Sequence, residues 1–339
     1  MLRDTSTTLT NTRKKSMQVK PYTAAYREMW NTFVRTSRNA TFLHNRNYME
    51  YHAERFEEVS AMVMDGDKGN LFALFPATYH AATKMVCSHA GLTYGDFLLS
   101  RQAHAPQVLA AMDAILDYYR QMGAQVLRLK TIPSIYHRFP ADEVQYFLFR
   151  EKAKMVACGL STAVDLASPL PYSTLRQRGV KKAEKAKYGV KEAVLDDATA
   201  WSNYWEVLTQ TLHDRHQVQP VHTLDEIRLL AQRFPLNIRL YTVCDVEGNV
   251  VAGTVLYLTD TVAHTQYIAA SEVGRQHGAL DLLMTTLLRK VPVEYPALRY
   301  FDFGVSTEND GNYLNEGLLM QKEGFGGRSV TYPTYEIHL

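Results

Sequence analysis

The sequence is short of cysteine, of long apolar runs and of any excess of one charge. Its three cysteines, Cys87, Cys158 and Cys244, stand far apart in 339 residues. That excludes a CxxC redox motif, a zinc spacing and a disulfide framework, and it fits a reducing compartment; a cytoplasmic location is expected. No apolar run approaches the roughly 20 residues that a membrane helix needs, so no integral membrane segment is expected. Residues 1–16 are polar and basic, without the apolar core of a secretory leader, and read as a mobile tail. A net charge of +2 does not argue for nucleic acid by itself, and DNA is not expected as a partner. No G-x-S-x-G elbow is present.

What is present is the composition of a globular protein, 46% apolar and 21% charged, over a length that suits two domains. In the first half, Gln18–Tyr22 reads as a strand. Ala24–Arg35 reads as an amphipathic helix with Tyr26, Met29, Trp30 and Phe33 on one face, and Asn45–Phe56 as a second helix. A hairpin follows, Val59–Met64 and Leu71–Ala77 about the turn Asp65-Gly66-Asp67. Met85–Ser88 is a strand, Gln107–Met122 a helix stopped by Gly123, Val126–Lys130 a strand, Asp142–Lys152 a helix and Met155–Asp165 a strand.

The second half repeats that order. Val190–Leu195 is followed by helices over Thr199–His213 and from Thr223 on, where Thr223 and Glu226 form a capping-box pattern. Strands Ile238–Val246, Val250–Leu258 and Val262–Ala270 come next. Gly274-Arg-Gln-His-Gly278 then leads into a helix with Leu280, Leu283, Met284, Leu287 and Leu288 at helical spacing. Leu298–Phe303 is a strand, Asn312–Gly324 a helix and Arg328–Ile337 a strand. A glycine loop between a strand and a helix N-terminus suits an anionic group, because the backbone approaches closely and the helix dipole favours negative charge. The expected fold class is α/β, a mixed-sheet α+β fold present twice: a first domain over 17–170, a basic joining helix over 171–188 and a second domain over 189–339.

Four stretches carry a family resemblance. They are the joining helix Ser173-Thr-Leu-Arg-Gln-Arg-Gly-Val-Lys-Lys-Ala-Glu-Lys-Ala, the strand end Tyr267-Ile-Ala-Ala-Ser271, Phe301-Asp-Phe-Gly304, and Leu318-Leu-Met-Gln-Lys-Glu-Gly-Phe-Gly326. With the element order, they resemble a tandem GNAT acyltransferase of the FemABX-like family, whose members transfer aminoacyl groups in peptidoglycan synthesis. Arg275 and Gly278 match the GNAT pyrophosphate loop, whereas Leu280 stands where that loop has a small residue.

The resemblance implies an acyltransferase using acyl-CoA or aminoacyl-tRNA and no metal. Its acceptor would be an amine or hydroxyl on a small molecule, glycan or peptidoglycan precursor, with tRNA admitted as a partner. The alternative is a non-catalytic module that binds an anionic ligand. The implied donor contacts are Ile268, Ala269, Ala270, Arg275, Gly278 and Ala279, on a strand end that splays from its neighbour. Lys322 lies in the lysine region of the resemblance and is the candidate to stabilise charge on the acyl carbonyl; a surface lysine is the plain alternative. His264 is a candidate base and Tyr267 its neighbour on the strand that ends in the donor contacts.

Candidate acceptor contacts are Tyr94, Ser306 and Asn315 beyond strand ends, and Arg215 and His216 after a helix of the second half. Arg178 and Lys181 join them from a basic stripe with Lys182 and Lys185, which is equally a solvated face. His213 and His216 at i, i+3 lack the further ligands that a metal site needs.

Overall fold

The structure, a computed structural model, describes residues 17–66 and 69–339, apart from the side chain of His216. Residues 1–16 and Asp67 of the hairpin turn lie outside the described residues. The first half runs β1 (Met17–Pro21), α1 (Arg27–Thr36), β2 (Ala61–Asp65), β3 (Leu71–Phe75), β4 (Thr78–His80), β5 (Met85–Cys87), α2 (Ala105–Gln121), β6 (Val126–Lys130), α3 (Glu143–Arg150) and β7 (Lys154–Asp165). Helix α4 (Thr174–Lys185) joins it to the second. There follow β8 (Gly189–Ala193), α5 (Ala198–His216), α6 (Leu224–Arg233), β9 (Ile238–Cys244), β10 (Val250–Leu258), β11 (Val262–Ala270), α7 (Glu272–Gln276), α8 (Ala279–Glu294), β12 (Tyr300–Val305), α9 (Glu316–Glu323) and β13 (Arg328–His338). The duplicated mixed α/β order read from the sequence is the order of the fold.

The halves share one sheet. Its strand order is β8-β9-β10-β11-β12-β7-β13-β6-β5-β4, closed by the short strand Glu57–Glu58; β1, β2 and β3 form a smaller sheet with Leu98–Leu99. The last strand of each half lies between two strands of the other half. β7 pairs with β12 of the second half, β13 pairs with β6 of the first, and β7 and β13 pair with each other along most of their length. The sheet therefore does not break where the joining helix lies.

Each half contains one parallel pair in a corresponding place. In the second half Val262, Ala263 and His264 face Tyr300, Phe301 and Asp302; in the first, Met85, Val86 and Cys87 face Val126, Leu127 and Arg128. The positions of His264 and Asp302 are thus taken by Cys87 and Arg128 in the first half. A thiol and a guanidinium there cannot form the same imidazole–carboxylate pair.

Local signals explain the helices that hold this frame. Ser173 accepts from the Arg176 N–H at the start of α4, and Thr223 and Glu226 form the expected capping box at α6. Leu283, Met284, Leu287, Leu288 and Val291 bury one side of α8 under the sheet, each worth roughly 1.5–3 kcal/mol of apolar transfer. α8 runs past Pro292 to Glu294, although Pro292 has no N–H to give the carbonyl of Leu288.

Three expectations are corrected. Asn45–Phe56 is not one helix: a turn of α-helix over Arg46–Met49 gives way to a 3-10 segment broken at His52, whose ring stacks on Tyr51. Met29 of α1 points to solvent while Trp30 and Phe33 are buried. The stretch Gly274–Gly278 is not an open loop: residues 272–276 form α7, and Gly278 caps α8 in the left-handed conformation.

Candidate active site

The site begins where two strands part. β11 and β12 pair only as far as His264 and Asp302. Beyond them Gly304 adopts φ +75°, and β12 turns toward β7, where Val305 faces Ser161. β11 continues alone on that side to Ala270. This is the splay the resemblance implies, and its edge of strand backbone has no neighbour from β12 beyond His264.

Two cavities open in the splay. One of about 130 Å³ is lined by Ile268, Ala269, Ala270, Leu280, Met284 and Phe325, with Arg215, Arg275 and Lys322 as its cations. The other, of about 340 Å³, is lined by His264, Thr265, Gln266, Gly304 and Tyr332, with Thr93 reaching in from the first half. Ile268, Phe303, Leu318 and Lys322 line both, so they form the waist between the two. A wider cavity of about 730 Å³ between α5 and α7 shares Thr211 and Arg275 with the small one.

Lys322 reaches this waist from the last turn of α9. It is 6% exposed, and its Nζ donates to the carbonyls of Gly304 and Val305, each at 2.8 Å. An ammonium has three N–H bonds, so one remains for a ligand. Burial brings its pKa down to about 8, with the nearby Asp302 carboxylate opposing the shift.

Asp302 is the fully buried centre of the constellation. Its Oδ2 accepts from Tyr136 Oη at 2.6 Å and from Tyr332 Oη, and lies 3.1 Å from His264 Nδ1. Its Oδ1 accepts from Ser161 Oγ and from the Gly304 N–H at 3.0 Å. Burial alone would raise this carboxyl, but the hydrogen bonds from His264, Ser161 and Tyr136 outweigh it and hold Asp302 well below the usual carboxylate range. An ionised Asp302 favours the proton of neutral His264 on Nδ1, which leaves Nε2 as the basic nitrogen.

The other expected residues are placed as follows. Ile268, Ala269, Ala270 and Arg275 line the small cavity, and Arg275 donates to the Ala270 carbonyl at 2.5 Å. Arg215 lines it too, while the side chain of His216 lies outside the described residues. Tyr267 turns away: its hydroxyl meets His222 Nδ1 at 2.6 Å and its ring packs on Trp205. The reason is a bulge. Val255 faces Tyr267 but Leu256 faces Thr265, so Gln266 is an extra residue and the strict alternation read from the sequence fails there.

Tyr94 is buried, its ring against Tyr136 and its hydroxyl on Thr41, and does not reach the cleft. Ser306 is buried as well, and Asn315 caps α9 by accepting from the Leu318 N–H. Arg178 and Lys181 are exposed on α4, away from the cavities of the splay. Sequence reasoning did not assign Asp302, Tyr136, Ser161 or Tyr332 to the site. Asp302 left one readable sign, an acid within the apolar strand Tyr300-Phe-Asp-Phe-Gly-Val305.

A GNAT fold offers the start of α8 to the pyrophosphate of CoA. Here that start is covered by the joining helix. A Cβ on Gly278 would lie 2.3 Å from the Gly179 carbonyl oxygen, and one on Gly179 would lie 2.0 Å from Asp281 Oδ2. Ala279 is fully buried, and Asp281 in the first turn forms a 2.5 Å ion pair with Arg176. A pyrophosphate there would meet a carboxylate and the backbone of another helix, so Gly278 and Ala279 do not fit one. Among the described residues no group of three or more His, Cys, Asp or Glu could hold a metal ion, and no helix is long and apolar enough to cross a membrane.

Residues 174–313 match the family model of a GNAT acetyltransferase domain. Comparison with curated proteins gives no match. Among solved structures, FemX superposes with a TM-score of 0.65 at 10% identity, over 95% of this chain and 97% of its own. L-PGS from Bacillus licheniformis gives 0.60 at 12% identity, over 91% and 90%. A tandem GNAT protein from the clavulanic acid biosynthesis pathway gives 0.51 at 13%, over 95% and 98%. At these identities the likeness is one of fold.

Proposed function

From a chain that carries the tandem GNAT fold, FemX-like in architecture, we propose an acyltransferase that moves an acyl or aminoacyl group onto an amine or hydroxyl. The observation that carries this reading is the splay itself, with the buried Lys322 at its waist and the His264–Asp302 pair on the wall of one cavity. The acyl carbonyl lies at the waist. The acceptor enters the cavity walled by Thr93, His264 and Gln266. His264 Nε2 takes the acceptor's proton, with Asp302 holding the opposite nitrogen in its protonated form. The acceptor's nitrogen or oxygen bonds to the carbonyl carbon, and the third N–H of Lys322 stabilises the oxyanion. The bond to the carrier then breaks, and the leaving oxygen or sulfur receives the proton from His264. No covalent intermediate with the protein is needed.

The covered start of α8 argues against a carrier bound through a pyrophosphate at that helix. Arg215 and Arg275, at the small cavity, are the cations nearest the donor side. Acceptors of the peptidoglycan-precursor class are favoured by the FemABX-like resemblance, and the likeness of fold to a putative lysylphosphatidylglycerol synthetase adds a lipid headgroup as a candidate. The same covered helix favours a second reading, a binding module of duplicated fold for an anionic ligand. Thermal-shift titrations with acetyl-CoA, CoA and a charged tRNA, in parallel, separate the donors, because a ligand of the native state raises Tm by mass action. A shift with charged tRNA alone supports aminoacyl transfer, and one with acetyl-CoA restores CoA through a different seat. Transfer from any donor, lost in Lys322→Met, eliminates the binding-module reading.

A further inference from the structure

We propose that Tyr136, supplied by the first half, is a positioning residue that sets the imidazole of His264, so that the first half completes the site; this rests on the acyl-transfer reading above. Tyr136 ends the short turn Ser134–Tyr136, and its hydroxyl stands 2.6 Å from Asp302 Oδ2 and 3.1 Å from His264 Nδ1. A hydroxyl has one proton. Here it goes to the carboxylate, so toward the imidazole the Tyr136 oxygen can only accept. His264 Nδ1–H therefore faces two acceptors, Asp302 Oδ2 and Tyr136 Oη, and each adds to the preference for that tautomer.

Tyr332 differs in one respect. Its hydroxyl also donates to Asp302 and lies 2.8 Å from Tyr136 Oη, but His264 Nδ1 is in contact with Tyr136 and Asp302. Tyr332 acts on the carboxylate; Tyr136 acts on the carboxylate and on the ring. Tyr136 is in turn fixed from both halves. The Tyr94 ring packs against it with centroids 5.1 Å apart, Tyr94 donates to Thr41 Oγ1 at 3.3 Å, and Thr261 Oγ1 donates to the neighbouring Ile135 carbonyl at 2.8 Å. Tyr94, expected from the sequence to meet the acceptor, thus supports the base at one remove.

The test uses histidine ring ¹⁵N spectra of the full chain, with His264 assigned by its loss in His264→Gln, alongside steady-state kinetics. In the unsubstituted protein His264 should show one neutral tautomer, protonated on Nδ1. Tyr136→Phe should introduce the second tautomer and lower kcat about tenfold or more with KM unchanged. Tyr332→Phe should leave the tautomer as it was. A Tyr136→Phe protein with an unaltered tautomer and kcat would overturn the proposal, as would Tyr332→Phe disturbing the ring to the same extent. The spectra need no substrate. If Tyr136→Phe mixes the tautomers while the unsubstituted protein turns over no donor, the positioning of the ring stands and the acyl-transfer reading falls.

Discussion

Replacing Lys322 by methionine separates its catalytic worth from its structural cost. Methionine keeps most of the apolar stem and removes the ammonium. In the folded protein burial brings Lys322 from an ordinary 10.5 to about 8; at 1.36 kcal/mol per pKa unit its charged form is disfavoured by roughly 3 kcal/mol. Lys322→Met relieves that cost at pH 7. It also strips a donor from the buried carbonyls of Gly304 and Val305, which costs about 1–3 kcal/mol for each group left unsatisfied. The two effects nearly cancel, so Tm should move by only a few degrees. Catalysis has no such compensation: losing one oxyanion donor should lower kcat by about 10²–10³-fold.

The pH dependence has a definite sign. Between pH 8 and 10 the unfolded chain holds a proton on Lys322 that the folded chain has lost. The unsubstituted protein should therefore gain stability relative to Lys322→Met over that window, while its activity falls as the ammonium is lost. The assay is kcat against pH from 6.5 to 9.5 with denaturant midpoints for both proteins. A Lys322→Met enzyme within about threefold of full kcat, or an alkaline limb of equal position and size in both proteins, would refute the reasoning, since the expected catalytic loss is far larger.

Three further outcomes follow from other parts of the structure. His264→Gln should lower kcat by about 10²–10⁴-fold with little change in Tm, measured in the same transfer assay. Acid should unfold the protein in two stages, read by denaturant midpoints from pH 7.5 to 3. His44 and His222 are driven by burial from 6.5 to about 4, so their contribution is complete above pH 6.5 and is lost as pH falls toward 4; Asp302, held low in the fold, adds its own loss below about pH 4. Gly278→Ala should lower Tm, because that position has φ +75° and a methyl there would strike the Gly179 carbonyl; a left-handed non-glycine residue alone costs on the order of 1–3 kcal/mol.

How far the sequence foretold this structure depended on whether a signal was local. The strands over 126–130, 250–258 and 262–270 and the cap at Thr223 follow from nearby residues, and they stand where the patterns put them. The faces along β11 did not, because the extra residue Gln266 reverses the alternation, and bulges have no reliable pattern in one sequence. Gly278 looked like part of an anion loop, but its missing side chain serves the crossing of α4 over α8. A single sequence does not distinguish those two uses of glycine. Lys322 was legible through the motif around it. Tyr136, Ser161 and Tyr332 were not, since they meet Asp302 only after β7 and β13 have crossed between the halves.

That crossing of strands also sets an order of events during synthesis. β6 takes β13 as a neighbour, and contacting residues such as Thr131 and Pro333 are 202 positions apart. At roughly 5–20 residues per second, β6 emerges on the order of 10–40 seconds before the strand that covers its edge. For that interval the nascent first half presents an open sheet edge, the kind of edge that recruits stray strands. A ribosome that stalls after β7 would release a chain with both β6 and β7 uncovered, a substrate for chaperones rather than a working half.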